Sequence, residues 1–291
     1  GDGVCDEFEI VGCQDPTAAN YDPNATDSPS SGECPPLDFD VVDDSYTKAA
    51  YDAIEELDPS STVLLSFDYS PGTKPEIQPM AIAMLKQLFR GNHKVFLMAL
   101  WPDGKFMSKD ALKEVLKEYP DKVYGVDYVN LGYKPGGEII INQLAKDNDL
   151  SVLFPADLTG LSINSIPIAR DLNLKDSNLS ILQRFDFVIS LSAGSVGTKE
   201  WILFGTDPAG VDFTSGCTSI QVTGLLPYAD NNQQMEGIVA GLVGAAYYEK
   251  LMDYRGMARK SLPAQTYAHL AIVLFIVLGN LFYFIEKKDE S

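Results

Sequence analysis

The residues with most chemistry to offer sit in glycine- and proline-marked turns that follow apolar runs. Asp68 ends the run Thr62–Tyr69 and leads into Ser70-Pro71-Gly72, and Asp157 closes Phe154-Pro155-Ala156-Asp157. A carboxylate directly after a strand can act as a general acid or base, and it can equally cap its own loop. Two turns resemble anion cradles. Ser192-Ala193-Gly194-Ser195-Val196-Gly197 runs from a strand into a short helix, and Lys134-Pro135-Gly136-Gly137 precedes another helix. Free backbone N–H groups at such junctions can hold a phosphate or a carboxylate. Neither turn is a Walker A loop or a GxGxxG fingerprint, and tight β–α turns need Gly and Pro on steric grounds alone. The candidate ligand-binding set is therefore Asp68, Lys134, Gly136, Gly137, Asp157, Ser192, Gly194, Ser195 and Gly197, for an anionic small molecule.

Catalysis has less to draw on. The chain has two histidines, His93 at a strand start and His269 near the C-terminus, and no GxSxG elbow. A Ser–His–acid triad and a histidine-based zinc site both lack their parts. No catalytic residue, metal or cofactor is expected. A hydrolase or transferase built on Asp68 and Asp157 with Ser192 or Ser195 is the weakest of three functional readings.

The elements that would hold these turns follow from periodicity. Thr62–Tyr69, His93–Trp101, Tyr124–Leu131, Phe185–Ser192 and Val211–Val222 are apolar enough for strands buried on both faces. Between them Ser45–Leu57, Glu76–Arg90, Lys109–Tyr119 (with Ser108 as its cap), Gly137–Lys146 and Lys199–Phe204 have helical spacing, and Gln234–Met252 closes the series. Such alternation predicts βαβ units: an α/β fold with a doubly wound, mainly parallel, Rossmann-like sheet. Its ligands would collect beyond the strand carboxyl ends.

Charge is uneven. The net charge is −19, and residues 1–60 hold sixteen acidic side chains against Lys48 alone. Such a segment repels phosphate backbones, so nucleic acid is excluded as a partner. Three of four cysteines, Cys5, Cys13 and Cys34, fall in this polar stretch, and the fourth is Cys217. The clustering suits a disulfide-stapled appendage in an oxidising compartment, with Cys13–Cys34 the preferred pair and Cys5 either free or joined to Cys217. The chain opens on Gly1, so removal of an earlier segment is expected.

Gly12, Cys13, Asp15, Pro16, Ala18, Asn20, Tyr21, Pro23, Ala25 and Cys34 follow the pattern G-C-x-D-P-x-A-x-N-Y-x-P-x-A-x…C. Residues 12–34 thus resemble a short cysteine-bracketed module of secreted and surface proteins of marine and gliding bacteria. The resemblance covers about 23 residues of the 291. It implies extracytoplasmic exposure and names no activity.

Residues 267–285, with AHLAIVLFIVLGNLFYFI at their centre, carry no charge between Leu270 and Ile285, and Glu286-Lys287-Lys288 follow. At about 1.5 Å per residue this stretch reaches across a hydrocarbon layer of about 30 Å. Tyr267 and the aromatics 282–284 mark the two interfaces. Gly279 and Asn280 favour a helix packed on another helix. Gly237, Gly241 and Gly244 give a second close-packing face in the last helix of the domain.

The expected organisation is an acidic Cys-rich appendage (1–36), an α/β domain (37–252), a membrane-proximal connector (253–266), one transmembrane helix (267–285) and a cytoplasmic tail (286–291). Arg255, Arg259 and Lys260 before the span outnumber Lys287 and Lys288 after it, and a literal charge count would put the N-terminal side in the cytoplasm. The cysteine module points the other way, and large translocated domains escape the charge rule. The expectation is a cell-membrane protein with its main domain extracytoplasmic, periplasmic or on the cell surface. The leading functional reading is a non-enzymatic structural or interaction subunit of a membrane assembly, joined to other subunits or to copies of itself. A receptor for an anionic small molecule is the alternative.

Overall fold

A computed structural model describes residues 43–176, 178–230 and 234–289 together with Cys13, Ala25 and Val41, and side chains up to Asn280 and at Tyr283. The chain contains a compact unit, Asp43–Ala258. Six parallel strands form one sheet in the order β3-β2-β1-β4-β5-β6. They are β1 Thr62–Asp68, β2 Lys94–Ala99, β3 Tyr128–Tyr133, β4 Phe187–Ser192, β5 Phe213–Cys217 and β6 Ile238–Ala240. The helices are α1 Ser45–Glu55, α2 Lys74–Arg90, α3 Gly104–Val115, α4 Glu138–Lys146, α5 Leu150–Leu153, α6 Pro167–Asn173, α7 Thr198–Trp201, α8 Asp207–Ala209, α9 Val222–Asp230, α10 Gly241–Leu251 and α11 Met257–Asp289.

The order reverses between β1 and β4, so right-handed crossovers send helices to opposite faces. α1, α2, α3 and α10 pack together on one side, and α4 to α8 on the other. The doubly wound reading of the sequence holds. Every residue of β1 is buried, as a central strand covered on both faces requires. α2 is buried from Ile77 through Phe89 because the sheet, α3 and α10 enclose it. Each apolar side chain so enclosed contributes roughly 1.5–3 kcal/mol.

Three local expectations are corrected. The third helix starts at Gly104, and Ser108 lies buried inside it, its hydroxyl donating to the Lys105 carbonyl (3.1 Å). The early start is steric: a β-carbon on Gly104 would lie 1.9 Å from the Phe67 carbonyl oxygen, so only glycine lets this helix begin against β1. The span Val211–Val222 is a strand only to Cys217, beyond which a 3-10 turn leads into α9. Gln234–Met252 divides into β6 and α10, and Gly237 precedes β6 instead of lying on a helix. A β-carbon on Gly237 would meet the Ala50 backbone nitrogen at 2.3 Å, so this glycine admits the backbone of α1. Gly244 packs against Thr47 and Val239 within the same domain. The expected close-packing face is thus covered by the domain itself.

α11 is considered by itself. It is one continuous helix, so the expected connector is helical from Met257 onward. Its stretch Met257–Asn280 is long and apolar enough to cross a membrane, and every side chain from Tyr267 to Asn280 is exposed. Around Gly279 a β-carbon would meet nothing, and the Asn280 amide donates to the Ile276 carbonyl of the same helix (2.7 Å). The expected Cys13–Cys34 pair involves Cys34, which lies outside the described residues, as does Cys5. Cys217 carries a free, buried thiol.

Candidate functional site

The site that a doubly wound sheet offers lies between β1 and β4, where the strand order reverses. Asp68 and Ser192 end these two strands as register neighbours, and Cys217 ends β5 beside Ser192. Asp68 is fully buried. It accepts from the Leu100 backbone N–H (2.7 Å), the Ser66 hydroxyl (2.8 Å) and the Trp201 indole (3.0 Å). Burial pushes its carboxyl up to about 6, against the pull of those three donors, and Glu200 adds to the rise. Asp68 therefore ties three elements together (β1, the turn after β2, and α7).

The Ser192–Gly197 turn is closed in the same manner. The Gly197 N–H donates to Glu200 Oε2 (2.8 Å) and the Ser195 hydroxyl to Glu200 Oε1 (2.9 Å). With the Gln221 amide oriented by its neighbours, its oxygen accepts from the Gly194 N–H (2.8 Å) and its nitrogen donates to the Ser192 carbonyl (2.9 Å). The Ala193 N–H reaches the Asp68 carbonyl (3.1 Å). Below the turn, the hydroxyls of Ser192 and Thr198 (2.8 Å) and of Thr198 and Ser215 (2.5 Å) share hydrogens in a buried chain. Glu200 stands three residues after Gly197, so its carboxylate takes the place an external anion would have in the cradle.

A third carboxylate repeats the pattern. Glu76, in the first turn of α2, accepts from the backbone N–H (3.0 Å) and hydroxyl (2.6 Å) of Ser219 after β5. The crevice mouth is covered from β2: the Trp101 indole donates to the Val196 carbonyl (2.8 Å), and its ring leaves 3.4 Å to a β-carbon built on Gly194. Gly137, at φ +53°, accepts Val196 against its bare Cα, where a β-carbon would be 2.8 Å from the valine methyl. The two glycine turns singled out in the sequence thus pack on each other.

The remaining candidates are Lys134, Gly136 and Asp157. Lys134 follows β3, with its N–H on the Ala99 carbonyl and its ammonium 5.7 Å from the Phe154 ring centre. Gly136, at φ +129°, belongs to the same turn. Asp157 sits on the segment that covers the outer edge of β3, where the Leu158 N–H reaches the Asn130 carbonyl (2.8 Å). Burial pushes its carboxyl up, but hydrogen bonds from Tyr124, Thr159 and Leu161 outweigh that and hold it below the usual range. It is a loop cap, two strands away from Asp68 in the sheet order. His93 precedes β2 at the amino edge, as expected, with its imidazole held below its ordinary pKa by burial. The Cys217 thiol is pushed up to about 12 by burial, so no thiolate forms near neutral pH.

A cavity of about 380 Å³ remains beside the closed turn, between it and the start of α9. Gly194, Ser195, Lys199, Ile220, Gln221 and Leu225 are among its lining. Among the described residues no cluster of three or more His, Cys, Asp or Glu side chains could hold a metal ion.

Several of these contacts escape sequence reasoning. Trp101, Trp201, Gln221 and the hydroxyls of Ser66, Thr198 and Ser215 act across separate strands. Two signals were nevertheless available. Both tryptophans of the chain stand shortly after strands, and Glu200 has capping-box spacing from Gly197. No protein family, curated protein or solved structure matches the chain.

Proposed function

We propose that the chain is a membrane-held α/β domain acting as a non-enzymatic structural or interaction subunit of a larger membrane assembly. The observation that carries this reading is the self-satisfied crevice. The Gly197, Gly194 and Ser219 N–H groups are spent on Glu200, Gln221 and Glu76, and Trp101 covers the mouth. A reacting carboxylate must reach its substrate, and Asp68 is fully buried and held by three donors. The apolar helix with its uncovered surface supports membrane attachment. Sedimentation of the native protein, extracted gently in detergent, tests the proposal: a protein mass well above the 31.8 kDa of one chain is expected, and a single-chain mass sinks it.

The main domain is proposed to be extracytoplasmic, periplasmic or at the cell surface, on the resemblance of residues 12–34 to the cysteine-bracketed module. Cys217 is too buried to report this. Leu174, 76% exposed, gives a better site. In intact cells an impermeant maleimide should label Leu174→Cys, with the label mapped to that residue. Labelling only after lysis would put the domain on the inner side.

The cavity beside Lys199 favours a second reading, a receptor for an anionic small molecule. It ranks lower because the Gly194 and Gly197 N–H groups beside it are already engaged by Gln221 and Glu200.

A further inference from the structure

At the amino edge of the sheet, opposite the closed crevice, a cavity of about 210 Å³ lies between the end of α1, the end of α2 and the start of β2. Ile54, Leu57 and Pro59 give it an apolar lining. It has room for about seven waters and is smaller than the usual site for a drug-sized ligand.

The polar side chains that line it are paired from within the chain, with one exception. The Gln87 amide donates to the Tyr51 carbonyl (3.0 Å) and to Glu55 Oε2 (2.8 Å), and accepts from the Tyr248 hydroxyl. Arg90 donates to the same Glu55 oxygen (2.7 Å) and to the Tyr51 hydroxyl (3.1 Å). His93 is the exception. It is 4% exposed, its Nδ1 is sealed without a partner, and its Nε2 has none among the described residues. Gly91 also lines the cavity, and its backbone is ordinary (φ −73°), so its missing β-carbon serves only to make room. That atom would lie 2.4 Å from His93 Nε2. The nitrogen beside this glycine is therefore the one presented to the cavity.

Burial holds the imidazole below its ordinary pKa, so at neutral pH it carries one ring hydrogen. An orphan donor is rarer inside proteins than an orphan acceptor. The hydrogen therefore belongs on Nε2, where something in the cavity can accept it. Without an acceptor, this N–H bears the full cost of its desolvation.

We infer that this cavity binds a small uncharged molecule, with a carbonyl or hydroxyl oxygen on the His93 Nε2–H and hydrocarbon against Ile54, Leu57 and Pro59. Charge selects against the alternatives. A carboxylate ligand would stand beside Glu55, and an ammonium would meet Arg90 and a ring N–H. Glu55 and Arg90 neutralise each other, so the lining offers net attraction to neither sign. The inference is independent of the assembly reading.

The test uses cyclohexanone and cyclohexanol as probes, with cyclohexanecarboxylate and cyclohexylammonium as charged counterparts of similar size. The chain has two histidines, so isotope-labelled imidazole resonances of the full-length chain in detergent report His93 directly, and exposed His269 is the control. A saturable shift of His93 Nε2 with either uncharged probe is expected. His269 should show no saturation, and the charged counterparts should bind at least tenfold more weakly. His93→Phe keeps a ring and removes the donor. Its thermal midpoint should hold, and ligand-observed NMR should show at least a tenfold loss of affinity. The wild-type resonances decide the question even if that variant fails to fold. No saturable shift with either uncharged probe means a cavity that holds water only, and overturns the inference. Charged counterparts that bind equally well, or binding retained by folded His93→Phe, would overturn it too.

Discussion

At the carboxyl ends of β1 and β4, polar groups that could face a ligand are met from within the chain: Asp68 by Leu100, Ser66 and Trp201, and Gly197 by Glu200. Along α11, apolar side chains from Leu270 to Leu278 lack any such partner; Phe275 is 72% exposed and Leu278 38%. Leaving such surface in water costs about 0.8 kcal/mol per CH₂. One region has completed its own interactions, and the other needs an apolar phase from outside. The comparison shows where this chain needs something from outside: apolar cover for α11.

The strongest way to break the closed region is Gly104→Ala. Its β-carbon would press on the Phe67 carbonyl oxygen and on Ala99, both fixed by the sheet. A loss of about 3 kcal/mol is expected in chemical denaturation of the solubilised chain, the upper range for overpacking. Asp68→Ala comes next. It leaves the Leu100 N–H and the Trp201 indole buried without an acceptor, and about 2 kcal/mol should be lost at pH 7.5.

The same carboxyl gives a pH dependence whose sign follows from its environment. Its folded pKa, about 6, lies above the usual aspartate value of 3.8. The stabilisation linked to its proton is therefore complete below about pH 4 and disappears as pH rises through about 6, while its hydrogen bonds remain. The change approaches roughly 3 kcal/mol, and Asp68→Asn should flatten that part of the stability–pH curve. A curve of unchanged slope in the variant would remove Asp68 as its source.

Glu200→Ala sharpens the comparison more gently. It uncaps Gly197 and Ser195 at a partly exposed turn, so about 1 kcal/mol is expected. The variant should also gain a measurable response to phosphate that the wild type lacks. The smallest effect belongs to Ile220→Ser, within about 0.5 kcal/mol, because that side chain supports nothing in its own domain.

What could be read from the sequence divides along the same line. β1, β2 and β4 announce themselves because central parallel strands must be apolar on both faces, and α11 because no polar stripe interrupts it. β6 did not. Ile238-Val239-Ala240 continues a helical spacing into α10, and the strand exists only because β5 pairs with it and Gly237 admits α1. Asp68 and Ser192 do end their strands, as read from the sequence, but several of their partners arrive from other turns. Trp101 closes the mouth from β2, and Gln221 reaches back from beyond β5. Asp157 carried the same local signature as Asp68 and lies on the sheet edge, since a loop-capping aspartate and a crevice aspartate look alike in one dimension.

Hydrogen exchange in the full-length chain in detergent, read over residues 193–200 and 218–223 with and without millimolar phosphate, tests the closed crevice most directly. Strong protection at Gly194, Gly197 and Ser219, unchanged by phosphate, is the predicted result. Rapid exchange that slows when phosphate is added would contradict it, and would make the strand ends an anion site waiting for its ligand.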